Sequence, residues 1–401
     1  MLFDLPFLTL PLMQIRSSGI QILPAIKDKV GKLVTFIREA TWVAPPLGEE
    51  FAVYTEEQKQ RFKDDPAHHL QMRKEAEMRM NGSFELFHPN SELQKQTRQY
   101  MEMVMKEKLS NPELEKVLVP EWSVGCRRIT PGTNYLESLS SEKVHTVFGN
   151  ITNITETGVV CDNGKEYPVE VLICATGFDT TFKPRFPLIG NNGQNLQDLW
   201  KDEPNAYLGV AAPEMPNYFM TLGPNCPIGN GPVLIAIEAQ VDYIVQMLSK
   251  FQKQNIKSFE VRPEPTKAFN DWKDEFMKHS IWTEECRSWY KNGSAFGKVV
   301  ALWPGSTMHY LEAIEQPRYE DWSYKYESTV NPFQCLGNGH SSAEKRVGGD
   351  LSYYIRNEDT SKVDIVLKNG ATKVFSQTKP SPAEAAKERF EPSSDPATAR
   401  L

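Results

Sequence analysis

The run VLICATGFDTTF, residues 171–182, decides the fold of this chain, because it combines an apolar strand with a turn of small residues. Residues 171–174 are continuously apolar, as are strands of a parallel sheet that is covered on both faces. Thr176 and Gly177 follow, and small residues there let the backbone pass close to a planar ligand. An aromatic and a carboxylate come next, at the strand end where open α/β sheets bind ligands. The run predicts an α/β fold with a ligand site at this strand end.

Length and composition limit the class of protein. The chain has 401 residues, enough for two domains with sizeable cores. Its formal net charge of −7 argues against nucleic acid as a partner. Six cysteines without a CxxC pair argue against a disulfide framework and a zinc site, and the 7 histidines show no metal-ligand spacing. No apolar run is long enough to span a bilayer, so we expect a cytoplasmic chain with no integral membrane segment and no bound metal.

Upstream, residues 14–45 predict a strand, a turn, a helix and a second strand. The helix is expected to begin at Ser17 or Ser18, both good cap residues, and to end near Gly31. The second strand is expected over residues 33–38, which are apolar and rich in β-formers. Such a unit belongs in a parallel sheet.

The turn between this strand and helix has the chemistry of a phosphate site, because N–H groups and the dipole at a helix amino terminus favour a pyrophosphate. About twenty residues further on, dinucleotide folds place the residue that reads the ribose. Arg38 lies at that distance, and an arginine there favours the 2′-phosphate of NADP. The predicted nucleotide-binding residues are Ser17, Ser18, Gly19, Gln21 and Arg38. Spacing alone leaves an ordinary strand–helix junction equally open.

The rest of the chain alternates between helical and extended patterns. Residues 55–118 have helical periodicity, residues 117–175 contain short β runs separated by turns, and residues 232–254 predict a helix. Beyond about residue 340 the chain becomes polar, with a hairpin expected over residues 351–375 and disorder near the end.

Two adjacent arginines, Arg127 and Arg128, lie in an otherwise apolar strand-to-turn segment over residues 125–139. Burying them without a negative partner is costly, so a bound phosphate or another anion is a candidate partner. The alternative is an arginine pair on the surface of a turn, which is the better interpretation of an isolated dipeptide.

Taken together, these motifs resemble the flavin-dependent monooxygenases of the Baeyer–Villiger type. The segments that carry the resemblance are ATG-FD at 175–179, RSSGIQ at 16–21, Arg38 with Thr41 and Trp42, CRR at 126–128, and residues 217–232 and 286–310. Gln14 and Arg16 depart from the family pattern, which has glycines there. Side chains at these positions would crowd a pyrophosphate.

The resemblance implies FAD and NADP as cofactors, and a ketone and dioxygen as reactants. One oxygen atom would be inserted next to the carbonyl, which converts the ketone to an ester. Arg128 is implied as the catalytic residue, because a fixed guanidinium stabilises negative charge that develops on oxygen. Flavin contacts are implied for Thr176, Gly177 and Asn225.

Several further side chains have two interpretations each. Trp289, Trp303 and Tyr310 either line an aromatic substrate pocket or are ordinary core aromatics. Asp179 either holds Arg128 or a neighbouring loop in place, or it caps the turn that follows it.

The motifs resemble those of fungal members of the family, which act on polyketide or terpenoid ketones in secondary metabolism, including mycotoxin pathways.

Two alternative functions stay open. The first is oxygenation of nitrogen or sulfur, as in the related flavin monooxygenases. The second is a truncated, non-catalytic homologue that acts as a scaffold or partner protein.

The implied fold is α/β, a flavoprotein with two dinucleotide-binding domains that is truncated at its amino-terminal end. Residues 14–165 would be a remnant NADP-binding domain with a helical insertion. Residues 166–340 would be the carboxyl-terminal part of an FAD domain with the substrate cleft, and residues 341–401 a polar, partly disordered extension. The family's G-x-G-x-x-G and F-x-G-x-x-x-H motifs are missing from the 401 residues.

Residues 1–13 are apolar but atypical for the family. We expect either a buried first strand or foreign sequence from a wrongly predicted gene start, and we favour the second. A truncated pseudoenzyme would also lack these motifs, and so would one half of a split enzyme that another chain completes. Without these motifs, the chain is expected to purify without a yellow flavin.

Overall fold

The computed structural model describes residues 5–14, 17–45, 53–227 and 229–355. The elements before residue 180 are β1 (Leu5–Gln14), α1 (Ser17–Ile26), β2 (Val30–Ile37), β3 (Val43–Ala44), α2 (Glu56–Asp64), α3 (Pro66–Asn81), α4 (Glu92–Leu109), α5 (Pro112–Leu118), β4 (Thr130–Pro131), α6 (Tyr135–Leu139), β5 (Val144–Phe148), β6 (Ile151–Ile154), β7 (Gly158–Cys161), β8 (Glu166–Pro168) and β9 (Ile173–Ala175). Those that follow are α7 (Leu196–Leu199), α8 (Val233–Lys253), β10 (Ile256–Val261), α9 (Pro263–Met277), α10 (Thr307–Ile314) and β11 (Trp322–Tyr326).

A four-stranded parallel sheet in the order β5-β2-β1-β9 forms the framework of the amino-terminal part. β2 lies in its interior, and residues 33–37 of that strand are all buried, which explains their apolar run. The register pairs Gln14 of β1 with Ile37 of β2 and with Ala175 of β9. The carboxyl ends of three strands therefore meet at one edge, and the residues that follow them lie close together.

Several hydrophobic cores hold the described residues together, and two of them contain the most buried side chains. One lies beside the sheet and includes Ile20 and Leu23 of α1 and Leu33 of β2. Ile20 and Leu23 are three positions apart, so they share one face of their helix. The other core surrounds α8, where Tyr243 is fully buried with Phe259 of β10.

The helical pattern of residues 55–118 is confirmed by α2, α3, α4 and α5. The β run expected from about residue 117 is wrong at its start. The Asn111 side chain accepts hydrogen bonds from the backbone N–H groups of Glu113 and Leu114, and so caps α5. Pro112 suits the first turn of a helix, and α5 continues to Leu118. The helix expected over residues 232–254 is confirmed by α8.

Two other expectations about local structure are wrong. α1 ends at Ile26 rather than near Gly31, which lies inside β2. Residues 171–174 are not one buried strand, because β9 covers only Ile173–Ala175 and Val171 is 44% exposed. Among the described strands, β9 pairs with β1 and lies at the edge of the sheet; Cys174 on it is exposed, whereas Ala175 is buried.

The backbone of residues 5–14 forms β1, which pairs in parallel with β2 and β9. This is the strand alternative for the beginning of the chain. The foreign-sequence alternative concerns the origin of these residues, which strand pairing does not test. Residues 1–4 lie outside the described part of the chain.

A disulfide joins Cys126 and Cys286, which are 160 positions apart in the chain. Scattered cysteines predict no disulfide framework, so this pair is a correction. Cysteine spacing carries no information on which residues the fold brings together, and here the Cα atoms are 6.4 Å apart, within the reach of a disulfide. The remaining cysteines are free: Cys161, Cys174, Cys226 and Cys335.

The described residues up to 336 form one compact unit, and the described residues from 337 onwards belong to a second. Within the second unit, residues 337–355 form turns and bends. The hairpin expected over residues 351–375 and the disorder expected near the end fall almost wholly outside the described residues. The expected domain boundaries at 13/14, 165/166 and 340/341 stay predictions.

Replacing Leu33 by alanine is expected to lower the free energy of unfolding by about 2–5 kcal/mol, because a fully buried leucine leaves a cavity. Denaturant unfolding of the purified chain measures this difference. Lys32, exposed on the same strand, provides the matched control, and Lys32→Ala is expected to change the free energy by less than about 0.5 kcal/mol. Equal unfolding midpoints for the two variants would contradict the place of β2 in the core.

Thiol titration of the denatured chain is expected to give four reactive cysteines before reduction, because two of the six are paired. After reduction the count should rise to all six. Mapping the alkylated peptides identifies which cysteines were protected. Six reactive thiols in the unreduced chain would rule out the pairing of Cys126 with Cys286.

Candidate functional site

A cavity of about 320 Å³ lies at the edge of the sheet where β2 and β9 end. Its wall includes the turn after β2, the start of α1, the segments around β4 and α6, and residues 287–293. The lining residues that decide its chemistry are Ser17, Ser18, Arg38, Glu39, Arg127, Arg128, Gly177, Arg287 and Trp289. Open α/β sheets bind ligands at this kind of edge.

The charged side chains that line the cavity belong to four arginines and one glutamate. Arg38 follows β2, Arg127 and Arg128 precede β4, and Arg287 comes from the loop after α9. Arg38 and Arg128 are exposed, and neither has an ion pair with a carboxylate in the described part of the chain. The surplus of guanidinium groups favours an anion, and their planar donor pattern matches phosphate oxygens.

Glu39 supplies the carboxylate of the cavity and binds two of its arginines. Its Oε2 accepts a hydrogen bond from Nη1 of Arg127 at 3.3 Å, and its Oε1 accepts one from Nε of Arg287 at 2.7 Å. Arg287 also donates to the carbonyl oxygen of Gly293 at 3.3 Å. The Glu39 side chain is 28% exposed, so water screens these contacts only in part. Two of the four guanidinium groups are therefore held by protein groups.

The amino terminus of α1 borders the same cavity. Ser17 and Ser18, its first two residues, are exposed and line the wall. The hydroxyl of Ser17 lies 3.3 Å from that of Thr130. The first turn of α1 contains no acidic residue, so nothing in the helix offsets the partial positive charge at its beginning. This end adds N–H donors to a wall that is already cationic.

Two ties hold the arginine-bearing segments to each other. The Glu284 carboxylate accepts hydrogen bonds from the backbone N–H of Ser123 at 3.0 Å and from its hydroxyl at 2.7 Å. The disulfide joins Cys126 and Cys286, and each of these directly precedes a cavity arginine. The two segments are distant in sequence, so these ties fix where their arginines lie.

Lys291 stabilises the loop that carries Arg287. It is buried, and its Nζ donates to the carbonyl oxygens of Glu284 and Ala295. Burial lowers the pKa of this ammonium group. Because the two carbonyls belong to opposite ends of the loop, the side chain closes it internally.

The cavity brings together these predicted site residues: Ser17, Ser18, Arg38, Arg128 and Gly177. Gly177 has a φ of 82°, which glycine adopts without strain. Gly19, Gln21 and Thr176 are not among the lining residues; Gly19 is buried in α1, and the other two are exposed. The roles assigned to all these residues stay predictions.

Asn225 lies away from the cavity. It is buried, and its Nδ2 donates to Oδ1 of Asn270 at 2.7 Å. Trp303 and Tyr310 are buried in the core around α8, so the core interpretation describes them. Trp289 differs from them because it lines the cavity.

Sequence analysis missed Glu39 and Arg287. Glu39 directly follows Arg38, at the end of β2 where dinucleotide folds place the residue that contacts the ribose. The same spacing rule that indicated Arg38 could therefore have indicated Glu39. Arg287 had no such signal, because it reaches the cavity through a contact between positions 248 apart. Asp179 caps its own turn. Its Oδ1 accepts a hydrogen bond from the N–H of Thr181 at 3.0 Å, which lowers the pKa of the carboxyl.

None of the described helices combines the length and the apolar composition needed to cross a lipid bilayer. Among the residues that the structure describes, no group of three or more histidine, cysteine, aspartate or glutamate side chains is placed to bind a metal ion.

The sequence relatives of the chain are monooxygenases, although no protein-family model matches it. The FAD-binding monooxygenase stcW of Emericella nidulans is 38% identical over 336 residues, which are 83% of this chain and 55% of that protein. The FAD-binding monooxygenase moxY of Dothistroma septosporum is 38% identical over 333 residues, 82% of this chain and 53% of that protein. A Baeyer–Villiger monooxygenase of Pseudomonas aeruginosa is 27% identical over 80% of this chain and 60% of its own length. The chain spans about half the length of the first two relatives.

Solved structures confirm the expected fold. The structure of OTEMO in complex with FAD and NADP superimposes with a TM-score of 0.68 at 19% identity, over 80% of this chain and 67% of that one. Cyclohexanone monooxygenase from Rhodococcus sp. Phi1 bound to NADP+ gives 0.66 at 22% identity, over 80% and 68%. The fold is thus that of the α/β flavoproteins with two dinucleotide-binding domains. Over more than four fifths of its length the chain is thus similar to fungal FAD-binding monooxygenases, and it shares the fold of cyclohexanone monooxygenase.

Proposed function

We propose that this chain carries the nucleotide pocket and the catalytic arginine of a monooxygenase that uses FAD, NADPH and dioxygen. The proposed reaction inserts one oxygen atom next to the carbonyl of a ketone and yields an ester. The observation that carries the proposal is the cavity. Four arginines and the amino terminus of α1 surround one space at the carboxyl ends of β2 and β9.

The cavity fits the phosphates of NADPH. Arg38 stands directly after β2, where dinucleotide folds read the ribose, and its guanidinium would hold a 2′-phosphate by charge-assisted hydrogen bonds. Ser17 and Ser18 bring the beginning of α1 to the same cavity, where N–H groups favour a pyrophosphate. When bound, NADPH supplies the hydride that the reaction consumes.

Arg128 is the proposed catalytic residue. It lines the same cavity as Gly177, which follows β9, so it borders the crevice that this strand bounds. Arg127 is engaged by Glu39, whereas Arg128 makes no ion pair with a described carboxylate. A guanidinium kept in place beside a reacting ketone stabilises negative charge on its oxygen.

FAD fits the described residues only in part. Gly177 has a positive φ and Phe178 is 81% exposed, so a planar ring has access to the backbone after β9. The 401 residues contain no G-x-G-x-x-G loop that would hold the FAD pyrophosphate. Thr176 and Gly177 are therefore assigned to one edge of the ring.

The proposed substrate is a ketone of fungal secondary metabolism, of the polyketide or terpenoid class. Fungal relatives support this class, among them FAD-binding monooxygenases of Emericella nidulans and Aspergillus terreus. Trp289 supports it as well, because it gives the cavity an aromatic wall. The ketone and dioxygen are the proposed partners, and the cytoplasm is the proposed location.

Replacing Arg38 by alanine is expected to weaken the binding of NADP+ by about tenfold or more, because a charge-assisted hydrogen bond to the 2′-phosphate is lost. Isothermal titration calorimetry of the 401-residue chain measures the dissociation constant. The binding of NAD+, which lacks that phosphate, should change less.

Arg73 provides the matched control, since it is exposed on α3 and does not line the cavity. Arg73→Ala should bind NADP+ as the wild-type chain does. If the wild-type chain binds neither dinucleotide, the proposed pocket is wrong. If the wild-type chain binds NADP+ and Arg38→Ala binds it with the same dissociation constant, Arg38 loses its assigned role.

In a form of the protein that retains flavin, Arg128→Ala is expected to abolish ester formation, because charge on the substrate oxygen is no longer stabilised. Mass spectrometry of products formed under ¹⁸O₂ measures the incorporated oxygen, and the flavin absorbance shows whether the cofactor stays bound. Undiminished turnover would remove Arg128 from its role. The 401-residue chain alone should purify colourless, and a yellow preparation would contradict the partial fit of FAD.

A further inference from the structure

An acid and an arginine stand side by side where the ribose would be read. β2 ends at Ile37, and Arg38 and Glu39 follow it. In dinucleotide folds an acid at this edge binds the ribose hydroxyl groups and selects NAD, whereas an arginine accommodates the 2′-phosphate of NADP. These two side chains favour opposite cofactors, so the preference of the pocket depends on which of them is available to the ligand.

The structure makes Glu39 unavailable. Each of its carboxylate oxygens accepts a hydrogen bond from a different guanidinium, one from Arg127 and the other from Arg287. The contact with Arg287 is the shorter, at 2.7 Å to Nε. Of the described side chains that line the cavity, no other carries a negative charge. Arg38 is left as the residue after β2 that a ligand would meet.

We propose that Arg287 is a specificity-determining residue, which selects NADP over NAD by neutralising Glu39. This inference rests on the proposed nucleotide-binding function of the cavity. A free Glu39 carboxylate would repel a 2′-phosphate and would also compete for the guanidinium of Arg38. With Arg287 in place, the negative charge is balanced and each carboxylate oxygen has a guanidinium partner.

Arg287 is the better residue to test than Arg127. It belongs to a separate segment, so replacing it leaves the Arg127–Arg128 dipeptide intact. Its side chain is 44% exposed, and its other described contact is with the carbonyl oxygen of Gly293. A substitution there should therefore disturb the core little. Arg287→Met, which keeps an unbranched apolar stem, serves as the second variant if Arg287→Ala does not fold.

The test is a double-mutant cycle on the 401-residue chain. Wild type, Glu39→Gln, Arg287→Ala and the double variant are titrated with NADP+ and with NAD+ by isothermal titration calorimetry. Arg287→Ala is expected to weaken NADP+ binding by about tenfold and NAD+ binding by less than about twofold, because only NADP+ carries the repelled phosphate. Adding Glu39→Gln to this variant should restore most of the lost NADP+ affinity.

Non-additivity distinguishes the proposal from a general effect of charge. Glu39→Gln should raise NADP+ affinity by a clearly larger factor in the Arg287→Ala background than in wild type, because only there has the carboxylate lost the nearer of its two guanidinium partners. Equal factors in both backgrounds would overturn the proposal, and so would an unchanged ratio of NADP+ to NAD+ affinity in Arg287→Ala. Arg73→Ala removes the same charge outside the cavity and should leave the ratio at its wild-type value.

The outcome for the wild-type chain separates this inference from the function on which it rests. A wild-type chain that binds NADP+ while the cycle shows no coupling overturns the role of Arg287 alone. A wild-type chain that binds neither dinucleotide overturns the proposed pocket and this inference together.

Discussion

Repulsion among guanidinium groups is the constraint that the arrangement of the cavity has to overcome. Four arginines line about 320 Å³, and the positive end of α1 borders the same space. The Glu39 carboxylate offsets part of this repulsion by binding two of the arginines at once. What remains is a net positive wall, which favours an anionic ligand. The chemistry proposed for the chain follows from this imbalance of charge.

Holding like charges together also requires rigid supports, since each side chain would otherwise turn towards water. The segments that carry Arg127, Arg128 and Arg287 are joined by the Cys126–Cys286 disulfide and by hydrogen bonds from Ser123 to Glu284. Buried Lys291 closes one of the two segments internally. These ties belong to no catalytic motif. Their effect is to keep guanidinium groups where solvation alone would not place them.

The part of the site that comes from one continuous stretch was predictable. The local pattern predicts α1, β2 and Arg38. Small residues and good cap residues mark the start of the helix, an apolar run marks the strand, and the arginine follows about twenty positions after the turn. The flavin contact of Asn225 stays a prediction; the residue is buried and does not line the cavity, and a loop rich in glycine and proline has no pattern that fixes its direction. β9 was expected to be buried. Its apolar run does not indicate whether the strand lies inside the sheet or at its edge, and β9 lies at the edge.

The amino-acid sequence by itself determined the elements whose causes are local, namely the strand and helix periodicities, the caps, and the residues directly after each strand. Their chemistry could be read because neighbours in the chain are also neighbours in space. Only the tertiary structure decided that Glu39 meets Arg287 across 248 positions, and that Cys126 meets Cys286 across 160. Such contacts depend on how whole elements pack, and no local sequence pattern at either residue identifies its partner.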